Sequence, residues 1–387
     1  MATSGSDLKA KVLSGIHYPF NKPAAMKRIY LIISLILISS FLSDHVDGQK
    51  VIPVRDKYVM LTMPYNQRPL NLYRGQFQAS AGYKFAVRAQ SFDSDGDLVH
   101  LKDNGTGSVY HYYFAEAKYG VTDFAEIGAE TNFLRRGIRD ATVTVVNITS
   151  TAVERVTVNK LTESKGMGDI FIYTSFRLPV KYNWFDFGIK GGFFLPSAKY
   201  ETPEPANTVK AVSLASESNT TINLHYNYKN GYGVPVWLVS AASKFTFRNL
   251  SARAEWTMRD PLKEGQNIRW EEALTDTKFS YYDNTYSYLL SRTCTFDASL
   301  HYQATGWFNV GLNASYFKTK GGWTEYWGVK YENPKKHLLN LEPGFELQIS
   351  PGLTVYQVAG FPLTGRNCDA PFYLFTTIYY KMFPFLR

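Results

Sequence analysis

Two groups of side chains in this 387-residue chain have types and spacings that could do chemistry. Asp297, Ser299 and His301 stand two residues apart in series, the raw material of a nucleophile, a base and an orienting carboxylate. On a strand, residues two apart lie ~7 Å apart along one face, too far for a Ser–His hydrogen bond without a cross-strand partner. No bond chemistry is expected of them. Asp93, Asp95 and Asp97, in SFDSDGDLVHLKDNGTG (91–107), alternate as the oxygen ligands of a calcium loop do. Against that, Gly96 sits where a ligand spacer belongs, Leu98 takes the glycine position and Asn104 replaces the bidentate glutamate. A solvated hairpin loop is the expectation, with loose divalent-cation or lipopolysaccharide-bridging contact as the alternative. Cys294 and Cys368 lack metal-ligand spacing. Cys294 shares an apolar face with Phe296, Ala298 and Leu300, so unpaired thiols are expected before a disulfide. No cofactor and no metal is implied.

A larger set of charges recurs on the polar faces of alternating segments: Lys84, Arg88, Glu116, Lys118, Glu126, Glu130, Asp169, Arg177, Asp186, Lys190, Arg253, Glu255, Asp297, Glu342 and Glu346. Nine of these are acidic and six basic, although the whole chain carries a formal net charge of +9. Isolated charges at membrane depth must be hydrated or paired. Neighbouring segments offer opposite signs, Glu116 and Lys118 lying beside Glu126 and Glu130. Such ladders either zip a narrow interior shut or line a thin aqueous path with a mild cation preference, and the sequence leaves both open.

The segments that position these charges read as strands. In KYGVTDFAEIGAETNF (118–133), Ala125, Ile127, Ala129, Thr131 and Phe133 point one way and Glu126, Gly128, Glu130 and Asn132 the other. A soluble sheet buries its apolar face, whereas a membrane barrel turns it outward into lipid. Segment length favours the membrane: each runs ~10–12 residues, enough to cross a bilayer at the usual tilt, against ~5–6 for globular strands. Connection length agrees. Short turns at 121–123, 180–183, 247–249, 304–306 and 350–352 alternate with long polar stretches at 91–108, 136–165, 196–233, 259–284, 319–335 and 363–371. Twelve strands are expected, at 74–90, 109–120, 124–135, 166–179, 184–195, 234–246, 249–258, 285–303, 307–318, 336–349, 353–362 and 371–383. If 218–233 spans, another strand must hide near 277–283, giving fourteen. The fold class is thus all-β, a transmembrane antiparallel up-and-down β-barrel.

Composition agrees with that class. With 28 Tyr and 26 Phe the chain is ring-rich, yet its mean hydropathy is -0.24, as interfacial aromatic girdles on a barrel would produce. Basic residues are scattered without runs, which argues against nucleic acid as a partner. MKRIYLIISLILISSFLSDHVDGQ, from Met26, has the form of a secretory signal with cleavage after Gly48; its apolar run is too short for a spanning helix. The expected organisation is an upstream extension at 1–25, a signal peptide at 26–48, a periplasmic N-terminal segment at 49–73 and the barrel at 74–387.

YNQRPLNLYRGQFQASAGYKF, YGVTDFAEIGAETNF and GMGDIFIYTSFRLP stand in an order and spacing that resemble the outer-membrane family named for the meta-pathway of phenol degradation. The resemblance covers Arg68 to Leu195, about a third of the chain, and faints beyond. It implies a barrel akin to fatty-acid and aromatic-hydrocarbon transporters of the Gram-negative outer membrane, with a small hydrophobic or aromatic substrate. Partners would be outer-membrane lipid, lipopolysaccharide and the barrel-assembly machinery, which reads an aromatic C-terminal strand like PFYLFTTIYYKMFPFLR. The rival expectation is a non-conducting structural or adhesive surface barrel acting through its long loops; a secreted soluble β-sandwich is the third. Gly166 and Gly168 read as a strand start that must bend without clash, and Asp123 as an acceptor for local turn amides.

Overall fold

The computed structural model describes residues 54–101, 107–138, 141–146, 153–158, 162–178, 184–197, 231–275, 278–326 and 328–383. Its main sheet holds twelve long strands in sequential antiparallel order. They are β1 Phe77–Arg88, β2 Ser108–Gly120, β3 Ala125–Ile138, β4 Ile170–Arg177, β5 Phe185–Leu195, β6 Val236–Phe247, β7 Leu250–Pro261, β8 Arg292–Gln303, β9 Phe308–Lys320, β10 His337–Ser350, β11 Leu353–Arg366 and β12 Phe372–Met382. Strand β1 pairs with β2 on one side and β12 on the other, Phe77 facing both Tyr119 and Met382, so the sheet closes on itself. Closure satisfies every strand edge, which a wall in hydrocarbon requires.

All connections between β2 and β3, β6 and β7, β8 and β9, and β10 and β11 are short and lie at one end, called here the turn end. The long connections gather at the other, the loop end. Some carry their own sheets. Gly265–Thr275, Lys278–Leu289, Trp323–Tyr326 and Val329–Glu332 form one of four strands. The segment expected as a single strand at 285–303 is therefore two: Lys278–Leu289 pairs in this loop sheet, and the barrel strand starts at Arg292. Residues 278–283 do form a strand, but in the loop sheet, so the fourteen-strand alternative fails there. Most of 218–233 lies outside the described residues, as do 1–53 and the turn at 180–183.

The face question is answered by exposure. On β3 Ile127 is 50% exposed while its neighbour Glu126 is 4% exposed. Trp256, Phe296, Leu300, Leu312 and Ile378 are likewise exposed, and Glu346 is buried. A wall with its large apolar side chains outside and its carboxylates inside is stable only against hydrocarbon. Aromatic rings border this band. Near the turn end Trp184, Phe185 and Phe245 cluster at 4.9–6.2 Å, and Trp307 lies 5.9 Å from Phe308. Further towards the loop end Tyr83, Tyr113 and Phe133 lie side by side in a row with tilted rings, at 5.0 and 6.2 Å. Ile189→Arg, outward-facing in the middle of β5, is accordingly expected to lower stability by ~2–4 kcal/mol. Urea unfolding in lipid vesicles measures it.

Candidate functional site

The interior is built by the alternate residues of each strand together with a segment that the barrel does not include. Helix α1 (Val54–Thr62) and the chain that follows it cross the turn-end mouth. There the segment's backbone is taken up by inward side chains from around the wall. Lys244 on β6 donates to the carbonyls of Tyr65 (2.8 Å) and Arg68 (2.7 Å), and Thr246 to that of Asn66 (2.8 Å). The amide of Leu70 reaches Asp186 on β5 and that of Leu72 reaches Glu126 on β3, both at 2.8 Å. Asn71 and Ser175 on β4 bond through both side chain and backbone. On the far side, Arg68 meets Glu346 at 2.5 Å, Tyr379 at 3.2 Å and Gln348 at 3.2 Å. The ring of Tyr65 lies 4.6 Å from His301 on β8. The segment is thus a floor, hydrogen-bonded to strands on all sides.

Asp123 belongs to this floor: it accepts the Arg74 amide at 3.1 Å, while Thr122 Oγ1 takes the local turn amide of Phe124. The expected role of Asp123 as a local turn acceptor is corrected to that extent. A cation–carboxylate ladder between β2 and β3 is not what the register gives either, since Glu116 sits directly opposite Glu130 and Lys118 opposite Gly128. Glu116 is held instead by the hydroxyls of Tyr173 (2.6 Å) and Ser80 (3.3 Å). Tyr173 reaches it because it lies across Gly128, where any side chain would collide with the ring.

The other charges fall into three neighbourhoods. At the turn end, with the floor, are Lys118, Glu126, Asp186, Glu346 and Arg177, whose guanidinium donates to the Asp123 carbonyl at 2.8 Å. Midway, Glu255 gathers Arg253 at 2.5 Å and Lys190 at 3.6 Å, with Asp297 directly opposite it on β8. Towards the loop end, Lys84 Nζ stands 3.5 Å over the ring of Tyr373, whose hydroxyl donates to Glu342. There too Arg88 pairs with Asp369 at 3.0 Å and Asp169 accepts the Tyr232 amide at 2.6 Å.

Between floor and loops the interior is divided. On the β4–β6 side it is filled: Phe171 stacks on Phe194 at 4.4 Å, Tyr232 meets Phe194 edge-on at 5.1 Å, and Leu238 packs against them. On the opposite side are two cavities. The outer, of about 610 Å³, is walled by Tyr110, Tyr112, Leu134, Val358, Tyr373 and Phe375, with Lys84, Glu342 and Asp369 as its polar groups. The inner, of about 560 Å³, is walled by Tyr65, Arg253, Glu255, Asp297, Ser299, His301, Asn313, Glu342, Glu346, Tyr356 and Tyr379. Glu342 and Phe375 line both, so the two adjoin.

Ser299 and His301 share the inner cavity, but no hydrogen bond joins them among the described residues. The three-aspartate stretch is a tight hairpin: Asp93 Oδ1 accepts the amides of Asp95, Gly96 and Asp97, each at 2.9 Å. Those backbone donors, Asp97 first, hold its carboxyl below the ordinary range. Cys294 and Cys368 are free thiols, the latter donating to the His337 carbonyl at 2.9 Å.

This architecture defines a class: a closed transmembrane β-barrel of twelve strands, hollow on one side and floored by its own N-terminal segment. No protein-family model matches the sequence, and no curated protein matches it. Among solved structures, an outer membrane channel from Pseudomonas putida F1 is similar over 86% of this chain and 100% of that chain, at 10% identity and a TM-score of 0.52. At that identity the likeness establishes the fold. A mutant of the TodX monoaromatic hydrocarbon channel matches over 80% of this chain and 91% of that one, at 10% identity and a TM-score of 0.45. The KdgM porin matches over 78% and 98%, at 8% identity and a TM-score of 0.34.

Proposed function

We propose that the chain is an outer-membrane channel for small hydrophobic or aromatic molecules, closed at rest by its N-terminal floor. The observation that carries this is the pair of adjoining cavities, an aromatic outer one leading to a charged inner one. Flat rings stack favourably on Tyr and Phe walls, and the few polar groups among them orient a ring by its substituents. In the inner cavity Asp297 and Glu342 have no ion pair among the described residues, whereas Arg253 is engaged by Glu255. That excess of carboxylate supports a mild cation preference for whatever ionic current the path carries. Insertion by the assembly machinery, and a surround of lipid and lipopolysaccharide, belong to the same proposal.

Uptake into vesicles tests it. Proteoliposomes are expected to take up a small aromatic solute faster than a sugar of similar mass; equal, protein-independent rates would reject the reading. Asp297→Asn combined with Glu342→Gln is expected to move the reversal potential in a salt gradient towards zero selectivity. The closed floor favours a second reading, a barrel that conducts nothing and works through its loops, and the same vesicles decide between the two.

A further inference from the structure

The outer wall is not uniform where it leaves the apolar band at the loop end. On β9 the exposed Val310 and Leu312 set the outward phase, and Lys318 and Lys320 continue it, both exposed. Lys318 stands opposite His337 on β10, and His337 opposite Arg366 on β11, so these three form one outward row across three strands. Side chains directly opposite one another on neighbouring strands lie ~5 Å apart. Lys335 extends the row beyond the start of β10. Its carbonyl accepts from the Asn367 side chain at 3.1 Å, and the adjoining Lys336 bonds Thr319 through its amide at 3.0 Å and its carbonyl at 2.8 Å. The backbone that carries Lys335 is therefore fixed to both neighbouring strands.

Depth identifies what this row meets. Lys318 is ~11 residues along the chain from Trp307 at the turn-end border; at ~3.4 Å per residue and a tilt of ~40° that is ~29 Å, just past an apolar band ~25 Å tall. Below the row the outward face is apolar, with Leu312, Phe361 and Leu363 exposed. An outward side chain at that height stands among lipid headgroups. Lys318, Lys320, Lys335 and Arg366 have no ion pair among the described residues. Two groups of carboxylates border them: Asp260, joined to Arg292 at 2.8 Å, and the hairpin of Asp93, Asp95 and Asp97, whose first member lies in the field of Arg366. The corresponding rim of β12, β1 and β2 carries Phe372, Val87 and Val109 in one row instead. The basic sector is thus a local feature of β9 to β11, and phosphate is the headgroup chemistry that ammonium and guanidinium groups recognise.

We propose that this sector holds a lipopolysaccharide molecule of the outer leaflet, its headgroup phosphates on Lys318, Lys320, Lys335 and Arg366 and its acyl chains along Leu312, Phe361 and Leu363. The site rests on the outer-membrane reading and not on conduction. Native mass spectrometry of the folded full mature chain in detergent, titrated with lipopolysaccharide cut back to lipid A and inner core, is expected to show one molecule bound saturably. Lys318→Gln combined with Arg366→Gln should weaken that binding by on the order of tenfold or more. Lys263→Gln combined with Lys330→Gln removes the same charge from the loops and should leave it unchanged. Stripping the phosphates from the lipid should weaken binding to the parent chain alike, and make little further difference to the Lys318→Gln, Arg366→Gln variant. Parent-like binding by that variant, equal affinity for the phosphate-free lipid, or displacement of the lipid by millimolar inorganic phosphate overturns the proposal. A chain that fractionates with the outer membrane yet binds no lipopolysaccharide overturns the site alone, whereas a chain absent from that fraction overturns the reading beneath it.

Discussion

A chain that begins at Arg74, lacking α1 and residues 63–73, is expected to show sustained current steps in a planar bilayer, where the full mature chain shows rare, brief ones. The floor is held to the wall by bonds from Lys244, Thr246, Asp186, Ser175, Glu126 and Glu346. Each contributes ~0.5–1.5 kcal/mol, or ~1.5–3 kcal/mol where one partner is charged. Several of these bonds must break together for the segment to leave the mouth, so openings of the intact protein are expected to be infrequent. Removing the segment removes the closed state altogether. The barrel itself should survive, because β1 to β12 close without it. Retained heat-modifiable migration on a gel would confirm that the truncated protein is folded, and silence from such a protein would mean that the floor is not what blocks the path.

The second large effect is expected at Arg68. Its guanidinium bridges Glu346, Gln348 and Tyr379, and Glu346 is 2% exposed. Arg68→Met would leave that carboxylate enclosed and uncompensated, at a cost of ~3–5 kcal/mol. That penalty is borne by the closed state and relieved when Glu346 is hydrated in the open one, so the open probability should rise by on the order of a hundredfold or more. The double variant Arg68→Met with Glu346→Gln removes both charges, and replacing a whole buried pair is often nearly neutral. It should therefore return most of the closure. If single and double variants gate alike, the ion pair is not the latch.

The barrel was legible in the sequence because alternation, segment length and the segregation of short from long connections all pointed the same way. Ile127 beside Glu126 and Phe345 beside Glu346 each state the inversion in two adjacent residues. The boundary missed at 285–303 has a physical cause. Tyr-rich strands such as KFSYYDNTYSYL pair as well above the membrane as within it, since nothing in their pattern encodes depth. Charged wall positions could be found by alternation alone. The tyrosines could not, because a phenol fits either face, and Tyr173, Tyr356, Tyr373 and Tyr379 proved to be inside. The floor was least legible. Residues 63–76 have no period, and their bonds to Lys244, Asp186 and Glu346 join positions more than a hundred residues apart. Lys244 itself lay within reach of the alternation rule, on the polar side of its strand.

Everything proposed for the interior depends on which way the wall faces. Spin labels at the adjacent positions Ala129 and Glu130 on β3, in a chain whose Cys294 and Cys368 are serine and which is reconstituted in lipid vesicles, test it most directly. The label at Ala129 should relax with oxygen dissolved in the bilayer and ignore a water-soluble nickel chelate, and the label at Glu130 should be shielded from the lipid phase. Equal lipid access at both positions, or the reverse order, would contradict the barrel orientation and with it the cavities, the floor and the path.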